Sequence, residues 1–388
     1  MVNRSVWRQI EPNLARGRGV KDLTRQHAHA RLDVARGVAA FLVFLAHLCS
    51  VFFLRLVGPE NLLGEVLSVL SRHAVLVFFL MSGNLITHSI LHNVRRNGRF
   101  DAVEYAASRV ARIYPPLLGT IMICLAVWLI VRGLELPGVA KPYGLAGDLY
   151  RVRETFAFSM GEVVRVLTMR GGLLEIDGPL WSLYIEFQVY IVAMAVAAFW
   201  RGGMVARVVC GILALYCAWL LRGQVFFVLV WMLGAMTAFW TPPRRVLLPA
   251  TGAALLAAVA ALVLSSALYS AGMDRLDGYV LQLVCCVPYA TLLFFTHTTV
   301  RYPRWLIATG NFSYSLYVAH FPLLLLGLSL GQDWIGQDMA RTWMVASATA
   351  VLTLAFVIPF AAFTEQQGRF KALLLRAIQR KGALPGTA

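Results

Sequence analysis

Apolar residues in this chain come in long blocks, and polar residues gather between them. Runs of about 17–25 mostly apolar residues lie near 34–54, 66–90, 115–133, 179–200, 204–221, 224–240, 246–268, 278–297, 304–330 and 339–363. A helix rising 1.5 Å per residue needs about 20 such residues to cross a bilayer's hydrocarbon. The pattern predicts an all-α polytopic membrane protein of about ten transmembrane helices. A basic segment (1–33) precedes the membrane domain (34–363), and a basic tail (364–388) follows it. Residues 134–178 form one long loop of near-balanced charge, which is expected to pack against the bundle.

Composition supports this division. Hydrophobic residues make up 59% of the 388 and charged residues only 14%, against about 25% charged in soluble domains. The formal net charge of +16 does not imply nucleic acid, because the basic residues form no single patch. Arg4 to Arg31, then Arg95, Arg96, Arg99, Arg109 and Arg112, then Arg201, Arg207, Arg244, Arg245, Arg301 and Arg304 fall on alternate sides of successive runs. Arg369, Lys371, Arg376, Arg380 and Lys381 close the series. By the positive-inside rule both termini are cytoplasmic and the 134–178 loop is external. The first run is too long for a signal-peptide core and no small-residue cleavage site follows, so it reads as an uncleaved span. The six cysteines show no metal-ligand spacing and read as packing residues. His88 and His92 lack an acidic neighbour, so no metal site is expected.

Polar residues inside the apolar runs carry the candidate chemistry, because ionisable groups at membrane depth are costly. Ten residues separate Arg36 from His47 in the first run, which puts about 16 Å between them along a helix. Arg36 then lies at an interface when His47 lies near the midplane. The other reading of His47 is a neutral histidine hydrogen-bonded between packed helices. Arg109 and Arg112 share a helix face on the cytoplasmic side and suit phosphate groups, or they simply anchor a helix end. Pro179-Leu-Trp181-Ser182 opens the fourth run, with Trp181 at an interfacial belt, and Glu186 follows about a turn and a half inside. Glu186 and Tyr190 share a face, and a structural ion pair at Glu186 is the rival reading. Ser313, Tyr317 and His320 form a polar stripe that also suits interhelical hydrogen bonding. Ser82 and Gly83 permit close helix approach in the second run.

These segments together resemble the acyltransferase-3 family of integral membrane O-acyltransferases. The matching stretches are Leu32-Asp33, Arg36-Gly37 and His47; Phe78-Phe79-Leu80-Met81-Ser82-Gly83; Arg109-Val-Ala-Arg112-Ile-Tyr114-Pro115; Pro179-Leu180-Trp181-Ser182 with Glu186; and Ser313-Tyr314-Ser315-Leu316-Tyr317 with His320 and Pro322. Asn84 departs from the family, where an aromatic often follows the Ser-Gly pair. Some relatives add a C-terminal SGNH-type hydrolase domain, which is not read here.

The resemblance implies transfer of an acyl group, most often acetyl, from cytoplasmic acyl-CoA to a hydroxyl of a cell-surface or lipid-linked glycan. Acetyl-CoA is then a donor substrate, with no tightly bound cofactor. Arg109, Arg112 and Arg36 would hold the donor. His47 would act as general base or carry the acyl group, with Glu186 orienting it. Tyr190, Tyr317, Ser313, Ser182, Ser82, His320 and Trp181 are candidates for contact with the acceptor or the oxyanion. A bacterial inner membrane is the implied location. A transporter or flippase for a glycan or small solute is the alternative class, because internal His, Glu and Tyr groups also suit a proton-coupled path.

Overall fold

The computed structural model describes residues 29–57, 62–143, 155–239, 275–295 and 302–382, with short helical pieces between 253 and 267. Its long helices are α1 (His29–Phe52), α2 (Leu62–Asn97), α3 (Ala102–Gly133), α5 (Leu180–Arg201), α6 (Met204–Leu221), α9 (Ser313–Ile335) and α10 (Met339–Thr364). Shorter ones are α4 (Met160–Leu167), α7 (Val225–Met236), α8 (Arg275–Ala290, continued by a π-turn at Thr291–Phe295) and α11 (Gln367–Gly382). Eight helices among the described residues are long and apolar enough to cross a membrane, and Val225–Met236 is a shorter apolar one. The expected span at 246–268 lies largely outside the described residues. The protein is an all-α polytopic membrane protein.

Two boundaries differ from the sequence pattern. The third helix starts at Ala102 rather than near 115, running straight through Pro115 and Pro116. Proline removes an intrahelical donor, yet membrane helices tolerate it where neighbours supply bonds. The two prolines free the Ala111 and Arg112 carbonyls, and the carbonyl just beyond them, of Ile113, receives the Tyr314 hydroxyl at 3.1 Å. The ninth run begins with a short helix at Arg304–Ala308 and a 3₁₀ turn at Thr309–Asn311, so α9 proper starts at Ser313.

Small residues set the closest packing. A methyl on Gly83 of α2 would lie 2.0 Å from the Trp231 carbonyl of α7, and one on Gly234 would lie 2.1 Å from the Leu80 carbonyl. The two backbones therefore touch through paired glycines, a common solution where lipid offers no hydrophobic drive between helices. On the face that carries Arg95, Arg96 and Arg201, Glu104 ties three segments together. It accepts from Lys371 of α11 at 2.8 Å, from Asn97 at 3.1 Å and from Arg96.

The loop expected to pack against the bundle reaches between its helices. Ser159 caps α4 by accepting from the Glu162 amide at 3.3 Å, and α4 leads the chain inward. Three carbonyls beyond it are taken by side chains of spanning helices. Tyr114 bonds Leu167 at 2.9 Å, Gln188 bonds Met169 at 2.9 Å and Tyr184 bonds Gly172 at 2.8 Å. Gln188 lies eight residues past the start of α5, so the tip of the loop reaches about 12 Å down that helix. Non-helical backbone at such depth is tolerated only inside protein, and Met169, Leu173 and Ile176 are buried. The turn needs left-handed backbone at Met169, Gly171, Gly172 and Leu173. Glu162 holds it by accepting from the Leu173 amide at 2.9 Å.

The glycine contact gives a direct check. Gly83→Ala should lower the thermal midpoint of the detergent-purified protein, whereas Gly133→Ala, with nothing within 4 Å of the added methyl, should leave it unchanged. Equal midpoints for the two variants would contradict the α2–α7 contact.

Candidate active site

Five helices line a cleft. Arg36 enters it from α1; Phe78 and Ser82 from α2; Arg109 and Arg112 from α3; Ser182, Glu186 and Tyr190 from α5; Ser313, Tyr314 and Tyr317 from α9. Of the candidates read from sequence, the cleft therefore gathers Arg36, Ser82, Arg109, Arg112, Ser182, Glu186, Tyr190, Ser313 and Tyr317. It does not include His47, His320 or Trp181. Trp181 packs instead on Phe227 at 5.0 Å between ring centroids.

The arginines of the cleft have carboxylates nearby, Glu186 in its lining and Glu365 within electrostatic reach of Arg112 and Arg36, yet not all of them form direct pairs. Arg36 pairs with Asp33 one turn earlier, but Arg109 and Arg112 form no ion pair among the described residues. Arg109 lies between aromatic rings, 5.6 Å from the centroid of Tyr105 and 5.9 Å from that of Tyr190, and donates to Ser89 Oγ at 3.4 Å. Its Nε, like that of Arg36, is buried without a partner. Guanidinium groups held in this way retain free donors for an anionic ligand, and their fork matches phosphate.

A directed hydrogen-bond chain crosses the cleft. Trp231 Nε1 donates to Ser82 Oγ at 3.2 Å, Ser82 donates to the Tyr190 hydroxyl at 3.3 Å, and Tyr190 donates to the Glu186 carboxylate. Glu186 is thus committed to Tyr190. No hydrogen bond links Glu186 to His47 among the described residues; the contact the structure shows is with Tyr190, the i,i+4 neighbour on its own helix. Beyond Glu186, the hydroxyls of Tyr317 and Ser182 lie 2.6 Å apart, and Tyr317 also donates to the Pro179 carbonyl at 3.4 Å. Ser313 spends its hydroxyl on the Gly310 carbonyl at 2.8 Å.

His47 lies past this end of the cleft and faces His320. Their ring centroids are 5.3 Å apart with planes tilted by 31°. Phe321 stands edge-on to His47 at 5.1 Å and Phe44 edge-on to His320 at 5.9 Å. The Tyr317 ring is 6.5 Å from His320, so Tyr317 borders both the cleft and the histidine pair. His320 is fully buried, and His47 is half-buried.

Several residues of the site carried no role in the sequence reading. Trp231 lies in an unbroken apolar run with nothing to flag it. Tyr314 sits inside a quoted motif without an assigned partner. The inward course of α4 was legible in Ser159-x-x-Glu162, a helix-capping signature. Asp177, just ahead of α5, is fully buried with both carboxylate oxygens lacking a hydrogen-bond partner. Burial pushes its carboxyl well above the usual carboxylate range.

The helical membrane bundle thus gathers three arginines and a carboxylate at a cleft, with a histidine pair adjoining it through Tyr317. The acyltransferase-domain family known as acyltransferase 3 matches residues 29–362, and the chain belongs to it. The protein is accordingly a membrane acyltransferase. No curated protein and no solved structure matched the chain in the same comparisons.

Asp177 gives a signed pH dependence. With its folded pKa raised, the native state binds more protons there than the unfolded chain, so the stability it contributes is full below about pH 4 and declines as pH rises above that. Asp177→Asn should flatten this decline and exceed the parent in thermal midpoint at pH 8. A midpoint difference that stays constant from pH 4 to pH 8 would contradict the assignment.

Proposed function

We propose that this protein transfers an acyl group, foremost acetyl, from cytoplasmic acyl-CoA to a hydroxyl of a cell-surface or lipid-linked glycan. The observation that carries the reading is the convergence of Arg36, Arg109 and Arg112 on a cleft whose other end adjoins His47 through Tyr317. The positive-inside pattern puts the arginine end on the cytoplasmic side, where a donor bearing phosphates is found. In a bacterial cell this is the inner membrane, with the acceptor approaching from the external side.

Arg109 and Arg112 bind the CoA phosphates, and Arg36 steers the pantetheine arm along α1. The thioester carbonyl comes to rest near the Ser182–Tyr317 hydroxyl pair, which supplies a donor to the oxyanion as it develops. Neutral His47 takes the proton of the attacking hydroxyl. A carbon–oxygen bond forms at the acyl carbon, and the carbon–sulphur bond then breaks. The proton passes from His47 to the departing sulphur, releasing CoA as the free thiol. The chain from Trp231 to Glu186 keeps Tyr190 fixed beneath Arg109 and preserves the shape of the donor site.

Arg112→Ala should raise the KM for acetyl-CoA by about 10- to 100-fold, the worth of one charge-assisted contact, with kcat changed far less. His47→Ala should lower kcat at least about 100-fold while membrane insertion is kept. The readout is mass-spectrometric measurement of glycan-bound acyl groups in cells with and without the chain, joined to donor kinetics in isolated membranes. Identical glycan acylation with and without the protein would refute the proposal.

A further inference from the structure

His320 is the one residue of the histidine pair whose tautomer the geometry fixes. Its Nδ1 lies 2.8 Å from the Leu316 carbonyl. A carbonyl can only accept, so Nδ1 carries the proton and Nε2 presents a lone pair. That Nε2 is buried and has no hydrogen-bond partner among the described residues. An unmet acceptor in so deep a position is costly, and the ring is held rigidly by Phe44 on one side and its own helix on the other.

The nearest ring that can supply an N–H is His47. Two imidazoles joined by an N–H···N bond of about 2.9 Å keep their centroids roughly 5 Å apart. The observed separation is 5.3 Å. The two rings are not hydrogen-bonded in the structure, so forming the bond takes a turn of the His47 ring, the less buried of the two, toward His320 Nε2. Neither Glu186, which is committed to Tyr190, nor any other carboxylate among the described residues bonds the His47 ring.

We propose that His320 is the positioning residue for His47: its Nε2 accepts the N–H of His47, and its Nδ1–H is anchored on the Leu316 carbonyl. This rests on the acyl-transfer reading above. The relay assigns His47 one tautomer, with its second nitrogen left as a lone pair toward the acceptor hydroxyl. When His47 takes the substrate proton, the His47–His320 bond becomes charge-assisted and strengthens as the imidazolium forms. His320 takes no proton. The same proton goes on to the thiolate of CoA, so His320 ends the cycle as it began. The arrangement does with a neutral histidine what a buried carboxylate does for the base of a hydrolytic triad, without placing a second charge in the bundle.

The test uses three full-length proteins in lipid nanodiscs: the parent, His320→Ala and His320→Gln. The amide oxygen of Gln stands near the place of Nε2 and can accept from His47. The expected result is a kcat for His320→Ala lower by about 30- to 100-fold, with KM for acetyl-CoA within about twofold, and a His320→Gln variant restored to within about tenfold of the parent. Solid-state NMR of protein with ¹⁵N-labelled histidine reads the tautomers without any substrate. His320 should show a protonated Nδ1 and a bare Nε2, and His47 should lose its preferred tautomer in His320→Ala. A His320→Ala enzyme with parental kcat, a Gln variant as impaired as the Ala variant, or a His320 protonated on Nε2 would each overturn the proposal. If the parent itself shows no acyl transfer, the functional reading fails, whereas the tautomer measurement still decides the histidine pair.

Discussion

Burying a guanidinium inside a helical bundle is costly unless something negative meets it, and this structure leaves that cost partly unmet. Arg36 has Asp33 beside it. Arg109 has the rings of Tyr105 and Tyr190 and the hydroxyl of Ser89, and Arg112 has the charge of Glu365 nearby without a direct ion pair among the described residues. Cation–π contact with Tyr105 and Tyr190 recovers on the order of 1–2 kcal/mol, which is small against the desolvation of an arginine at membrane depth. The balance is held by the cleft itself, which keeps the guanidinium groups within reach of water or of an anionic ligand. Much of the architecture follows from this. Tyr190 must be fixed to stack under Arg109, so it is tied to Glu186, and Ser82 and Trp231 orient that tie. Trp231 can reach Ser82 because Gly83 and Gly234 bring α2 and α7 into backbone contact.

The second constraint is backbone satisfaction at depth. The segment from Ser159 to Gly178 brings a short helix and a strained turn into the bundle, where every unpaired carbonyl would cost several kcal/mol. Three polar side chains of the spanning helices, Tyr114, Tyr184 and Gln188, meet three of those carbonyls. In return the segment fixes the approach to α5. Asp177 and Pro179 precede that helix, and the Pro179 carbonyl receives the Tyr317 hydroxyl. A wall on the loop side of the bundle is thereby coupled to the residue that borders both the cleft and the histidine pair.

The sequence made the spans legible because apolar length is the dominant signal for a membrane helix. Charge asymmetry around the runs needed no structure to detect. Arg36, Glu186 and Tyr317 stood out because polar groups inside apolar runs have few explanations, and Arg109 and Arg112 because they share one helix face on the basic side. What the sequence hid depends on three-dimensional pairing. That Glu186 serves Tyr190 was foreshadowed by their i,i+4 spacing. The approach of His320 to His47 joins α1 to α9, and the Ser182–Tyr317 contact joins α5 to α9. Periodicity along one helix holds no information about either. Packing of the loop against the bundle was expected from its sequence, but how deep it goes rests on Tyr114, Tyr184 and Gln188 meeting its carbonyls, which no local pattern encodes.

The separation of the histidine pair from the arginine cleft has a chemical consequence. A donor thioester sits on a long flexible arm, so its phosphates can be held by Arg109 and Arg112 while the acyl carbon lies some distance further along the bundle. A base placed among the arginines would be poorly suited to collect a proton, because nearby cations disfavour its protonated form. Placing His47 beyond Tyr317, among Phe44, Phe321 and the neutral His320, removes it from that field. The eleven-residue step from Arg36 to His47 along α1, about 16 Å, is therefore the distance over which the site changes character. At one end α1 faces groups that hold phosphate. At the other it faces groups that can manage a proton, and the helix itself fixes how far apart the two tasks are kept.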